Sequence, residues 1–171
     1  YKVCDIRPLF GYIFEDSIKE FDFWGYSDID LFYGNLTKFF YDSNLLNEYD
    51  IISNRKYWLS GSFSLFRNCK EVNELYKLSK DWRKVVTESN THHAFDELSR
   101  KVANNYIESL YIYPELEEGV PLETIKTRVE AFTQVVRLKN HGLRTRFEDT
   151  LMESLKGGVI IKYKSLNLFQ I

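Results

Sequence analysis

Only two cysteines, Cys4 and Cys69, occur in the 171 residues, too few for a disulfide framework. A reducing cytoplasmic setting is the expectation. No run approaches the roughly 18 to 20 consecutive apolar residues of a membrane span. No signal-peptide pattern opens the sequence. Charge of one sign is also missing: 23 basic and 25 acidic side chains leave a net charge of −2. No bulk field therefore favours nucleic acid. Repeats, low-complexity tracts and clear linkers are absent as well. What remains is an ordinary globular balance, 44% hydrophobic and 28% charged, with an unusual weight of aromatics at 16%. Such rings fill cores, and sugar- and base-binding clefts use them too.

Strand and helix signals mix along the chain, which predicts an α/β or α+β fold. Pro8 suits a first helical turn, and Leu9, Ile13, Phe14, Ile18 and Phe21 follow at helical spacing. "FDFWG" reads as a buried strand. Residues 35–48 read as a helix or compact loop, and the sequon Asn35-Leu36-Thr37, which would matter only in a secretory compartment, is expected to be a chance occurrence. "YDIIS" (49–53) and "GSFSLFRN" (61–68) read as strands, the second alternating Phe63 and Leu65 with Ser62 and Ser64. A helical pattern runs from Asn68 to Ser89, and "AFDELSRKVANNYIESL" continues it as a further helix. In "FTQVVRLKNHGLRTRF" β-branched residues flank "NHG", which predicts a hairpin. "VIIKY" after Gly157-Gly158 predicts another strand.

The first strand runs into two aspartates, Asp28 and Asp30. Two apart in an extended chain, their side chains point to one side, roughly 6 to 7 Å apart. A rigid strand end carrying two carboxylates supplies half the oxygen shell of a hard divalent cation. A solvated strand end explains the same pair. The two readings stay open on these residues alone.

"YKVCDIRPLFGYIF", "FDFWGYSDIDLFYGNL", "YDIIS", "SGSFSLFRN" and "AFDE" resemble, in that order, an uncharacterised bacterial family of candidate glycosyltransferases. The match is close over about residues 1–100 and looser beyond. The resemblance implies a single GT-A-type nucleotide-diphosphosugar transferase domain over 1–171, a mixed sheet flanked by helices. Within it, 1–100 would be the metal and donor core, and 101–171 a helix and β-hairpin region. It also implies a nucleotide-sugar donor, a saccharide acceptor, a role in surface polysaccharide synthesis, and Mn2+ or Mg2+ held by Asp28 and Asp30. Asp28 could instead bond the ribose. Asp5 and Arg7 of "CDIRP" would face the nucleotide, Asp5 on ribose or base and Arg7 bidentate on the pyrophosphate. A helix-capping acid with a surface arginine is the plain alternative. Ser60, Gly61 and Ser62 would lie on the sugar side, unless that strand is simply core. Asp96, or Glu97, would take the proton from an acceptor hydroxyl. An acidic helical turn explains these two equally well.

Relatives in that family carry a strand–helix segment ahead of "YKVCD" and a histidine followed by basic residues near their end. Neither is found here, and His92, His93 and His141 cannot be assigned as ligands. Weak metal-dependent nucleotide binding with little transfer is the expectation for this chain. Two rivals remain: a non-catalytic sugar- or nucleotide-binding relative, and a metal-dependent phosphohydrolase.

Overall fold

β1 (Phe23–Ser27) buries alternate side chains, with Trp24 and Tyr26 facing inward and Phe23, Gly25 and Ser27 more exposed. That alternation is what a strand covered mainly on one face requires. The protein is described here from a computed structural model, which covers residues 2–31, 33, 35–103, 106–107, 112–148, 153–154 and 160–162. β1 pairs antiparallel with β3 (Phe63–Arg67), Trp24 opposite Phe66 and Tyr26 opposite Ser64. β3 pairs antiparallel with β2 (Ile51–Ser53), which in turn runs parallel to β6 (Thr145–Phe147). The result is a mixed four-stranded sheet in the order β1-β3-β2-β6.

Both faces are covered. On one, Trp24, Ile51 and Phe66 join Leu9, Val72, Tyr76, Val85, Phe95, Phe132 and Val135 in the main core. The Trp24 and Phe66 rings stack there with centroids 4.5 Å apart, adding to the burial of two large apolar groups. On the other, Ile52 packs with Phe40 of α4 (Leu36–Asp42) and Leu45 of α5 (Leu45–Glu48), and Phe63 and Leu65 lie against them. The Asn35 side chain caps α4 by accepting the Lys38 N–H at 2.8 Å. The expected helix or compact loop at 35–48 is therefore two short helices.

The N-terminal helical stretch is broken into α1 (Lys2–Ile6), a 3-10 turn (Arg7–Leu9) that holds Pro8, α2 (Phe10–Ile13) and α3 (Glu15–Ile18). Gly11 lets α2 touch the sheet: a Cβ there would fall 2.6 Å from the Trp24 indole and 2.5 Å from Asn73 Oδ1. The Trp24 N–H donates to that same oxygen at 2.7 Å. The 68–89 segment is helical, in pieces: α6 (Lys70–Asn73), a 3-10 turn (Leu75–Leu78) and α7 (Trp82–Thr87).

Two expectations are corrected. The segment after Ala94 does not form a helix: it turns through Phe95–Glu97 and becomes extended, with β4 (Val102–Ala103) pairing β5 (Tyr106–Ile107). Long-range bonds override its helical pattern: Phe95 O accepts from Phe132 N and Glu97 O from Thr133 N, carbonyls a helix would use, while Asp5 holds the His93 and Phe95 N–H groups at the entry to the turn. "FTQVVRL" is not a hairpin strand but a helix, Phe132–Leu138. Phe132, Val135 and Val136 fall at helical spacing and are all buried. The Gln134 side chain accepts the Ala131 N–H at its start. With α8 (Tyr113–Glu117) before it, this last helix is α9. "NHG" serves instead as its exit. His141 Nε2 sits 2.8 Å from Val136 O, and His141 Nδ1 accepts from Leu143 N–H. "VIIKY" supplies β8 (Ile160–Lys162), antiparallel to β7 (Glu153–Ser154); Gly157 and Gly158 lie outside the described residues. Among the described residues, no helix is long and apolar enough to cross a membrane.

Candidate functional site

The end of β1 and the start of β3 share one margin of the sheet, since the strands are antiparallel. The ladder continues one residue further, Asp28 N–H donating to Ser62 O at 3.0 Å. This register fixes Asp28 beside the Ser60-Gly61-Ser62 turn. The 3-10 turn after α1 brings Arg7 to the same place, and the turn after Phe95 brings Asp96 and Glu97. Together they line an open cleft of about 530 Å³.

Arg7 sits at the centre. Its guanidinium donates to Gly61 O at 2.6 Å and to Asp28 Oδ1 at 2.8 Å, lies 3.3 Å from Asp96 Oδ2, and stacks 5.4 Å from the Tyr26 ring centre. Burial works against its charge, but the Asp28 hydrogen bond and the nearby Asp96 outweigh that and hold Arg7 above its usual pKa. Asp96 is only 3% exposed. Burial, with the Glu97 charge beside it and Arg7 opposing, pushes its carboxyl up to about 8. Glu97 is pinned at both oxygens: Oε1 accepts the Gly61 N–H, and Oε2 accepts the Tyr113 hydroxyl at 2.6 Å.

Gly61 has a specific reason to be glycine. A Cβ there would lie 2.9 Å from both Asp96 Oδ2 and Glu97 Oε1, so the protein's own carboxylates take the close approach. Ser60 is buried and organises the turn. Its Oγ accepts from the Ser62 and Phe63 N–H groups and lies 2.8 Å from Ser62 Oγ. Ser62 is half-buried and lines the cleft.

Asp5 is fully buried and has no surface for a ribose or base. Its Oδ1 accepts from Phe95 N–H at 3.0 Å and its Oδ2 from His93 N–H at 3.0 Å, and Lys2 pairs with it at 3.0 Å. It is a positioning residue for the turn that carries Asp96. Asp30 lies on the exposed turn after β1, beside a fully exposed Ile29, and does not line the cleft. His92 lines the cleft, and burial lowers its pKa. His93 is buried, its Nε2 3.0 Å from Glu88 Oε2.

Several cleft residues carry no sequence signal of their own. The Trp58 and Tyr113 rings meet at a tilt with centroids 4.5 Å apart, Arg55 lies 5.5 Å from the Trp58 ring centre, and Glu117 also lines the cleft. The "RKYW" run before "SGS" was the one available hint, basic and aromatic residues next to a glycine turn. Tyr113 and Glu117 come from α8, on which the sequence places nothing.

A hard divalent cation needs more oxygen donors than the cleft side chains bring together. Asp28 presents a carboxylate that is 41% exposed at the cleft, and Asp30 follows two residues on. Among the described residues, no group of three His, Cys, Asp or Glu side chains is placed to hold a metal ion. Phosphate and water oxygens would have to complete the shell.

Fold and cleft together define an α/β protein with a charged site at one sheet margin, where an arginine joins two carboxylates. The chain belongs to the family of unknown function DUF6625, which it matches over residues 1–162. No curated protein and no solved structure matches it.

Proposed function

We propose that this protein is a metal-dependent glycosyltransferase of GT-A type, moving a sugar from a nucleoside-diphosphate donor to a saccharide hydroxyl. One observation carries the proposal. Arg7, Asp28, Gly61 and Asp96 come from four separate stretches of chain, and Arg7 touches the other three.

Arg7 offers a planar fork to the diphosphate. Asp28 would meet Mn2+ or Mg2+ at the cleft, with donor phosphate and water oxygens making up the rest of the shell, and the ion would neutralise charge on the departing diphosphate. Asp96 would take the proton of the acceptor hydroxyl once it is ionised, which calls for a pH near or above 8. Glu97, held at both oxygens, keeps the Gly61 backbone and Asp96 in register. Tyr113 and Trp58 also line the cleft and would offer a sugar ring an aromatic surface.

The test is a panel of nucleotide sugars scored by thermal shift with and without Mn2+, followed by an assay of nucleoside-diphosphate release in the presence of saccharide acceptors. Asp28→Asn should abolish most of the metal-dependent shift, because Asp28 is the carboxylate 41% exposed at the cleft. A panel with no metal-dependent hit would defeat the proposal. Binding without release, in every donor and acceptor combination, would favour a non-catalytic binding protein.

A further inference from the structure

We propose that Arg137, with Lys56 and Arg55 beside it, forms an anion-binding shoulder to the cleft, fitted to an acidic saccharide: uncharged sugar rings that carry spaced carboxylate or phosphate groups. This rests on the reading of the cleft as a saccharide site.

The placement follows from how α9 holds the 54–60 stretch, which leads from β2 to the Gly61 turn. Thr133 and Arg137 lie one turn apart on α9. Thr133 Oγ1 accepts the Leu59 N–H at 3.0 Å, and the Arg137 guanidinium donates to Lys56 O at 3.0 Å. Arg55 and Trp58 of that stretch line the cleft, so Arg137 adjoins its wall. Each of the three cations is set against a ring. Arg55 lies 5.5 Å from the centre of Trp58, Lys56 5.0 Å from Tyr57 and Arg137 4.8 Å from Phe147. Such contacts fix where long side chains lie without neutralising them.

Arg137 is the group that points to an anion. Among the described residues it forms no ion pair, unlike Arg7, Arg67, Arg144 and Arg146. Burial lowers its pKa, and no neighbouring carboxylate offsets that. Lys56 O occupies only part of its five-donor fork, which leaves N–H groups for a carboxylate or phosphate. The rest of the cleft decides the partner. Asp28, Glu97 and Glu117 line it, so a polynucleotide, charged at every residue, would carry phosphates onto carboxylates. Sugar hydroxyls suit those acceptors, and a spaced anionic substituent falls to the basic shoulder.

Trigalacturonate, a phosphorylated oligomannoside and neutral maltotriose can each be titrated into the whole chain by calorimetry at low salt. At least one acidic probe should bind, and maltotriose about tenfold more weakly. Arg137→Gln keeps an amide for Lys56 O and removes the charge. It should weaken the acidic probe about tenfold and leave maltotriose unchanged; a residue that only braced the wall would weaken both alike. Lys56→Gln, at an exposed side chain, covers the case in which the Arg137 variant fails to fold, and should weaken the acidic probe by a smaller factor. Lys84→Gln removes a charge from α7, outside the cleft, and should change nothing. No binding of either acidic probe, equal binding of acidic and neutral probes, or an equal loss from Lys84→Gln overturns the proposal. Tighter binding of a single-stranded oligodeoxythymidylate of equal charge overturns the saccharide assignment. Acidic-probe binding with no nucleoside-diphosphate release in the transfer assay removes the transferase reading and leaves this site standing; release with neutral acceptors alone does the reverse.

Discussion

Replacing Asp96 by Asn should change the pH dependence of stability more than stability itself. Asp96 is 3% exposed, and its carboxyl ionises at about 8 in the folded chain against 3.8 in an unfolded one. Between those values the folded state holds a proton that the unfolded state has released. Stability therefore falls with rising pH across that window, by about 1.4 kcal/mol per pH unit from this one group. Its contribution is complete below the unfolded value and is lost as pH passes through about 8. The full span corresponds to about 6 kcal/mol, and local relaxation around a buried charge brings the expected effect nearer to about 3 kcal/mol. Asn mimics the neutral acid and can still accept from Arg7. The variant should match the parent near pH 4 and exceed it by about 3 kcal/mol above pH 8. Urea melts of both chains from pH 4 to 9 measure this directly. Other titrating groups, such as Asp50 and His93, cancel in the difference. Parallel curves across the range would refute the assignment of a retained proton to Asp96.

The remaining predictions concern its neighbours and the far end of the sheet. Gly61→Ala drives a methyl group against two pinned carboxylates and should cost about 1–3 kcal/mol in a urea melt, with loss of transfer activity; a neutral substitution would show that Asp96 and Glu97 give way freely. Asp50 accepts from Arg144 and Arg67, tying β2, β3 and β6 together, and Arg144 above all holds its carboxyl below the usual carboxylate range. Its stabilisation is present above 3.8 and fades as pH falls below that value. Asp50→Asn should therefore cost about 3 kcal/mol at pH 7 and much less near pH 2, checked by urea melts at both pH values.

Strands were easier to foresee than helices. β1 and β3 announce themselves by alternation, and their antiparallel pairing needs only that both bury one face. α9 was equally legible by period, since Phe132, Val135 and Val136 make one face, but the β-branched content of "FTQVV" pulls local preference toward a strand. Burial of three side chains in the main core outweighs that preference. The turn at Phe95–Glu97 was not legible. "AFDELSRKV" has helical composition, and what prevents the helix is a stretch more than thirty residues later, where the Phe132 and Thr133 N–H groups take the Phe95 and Glu97 carbonyls that a helix would need. No local pattern carries such a partner.

The site divides along the same line. Asp28 stands out because strand and acid adjoin in the sequence, and Arg7 because an arginine two residues past Asp5 opens a helical stretch. That the two form an ion pair depends on where α1 packs, which sequence spacing does not state. Asp5 illustrates the point most sharply. The sequence offers it as a ligand contact, whereas the fold makes it the anchor that aims Asp96 at Arg7. A buried acid satisfied by backbone N–H groups and a lysine is costly to lose. Its removal would release the turn bearing Asp96 and Glu97 and, through Gly61, the turn beside Asp28. Cleft geometry and fold stability are thus joined at one side chain, and a substitution there would disturb every member of the site without touching a ligand.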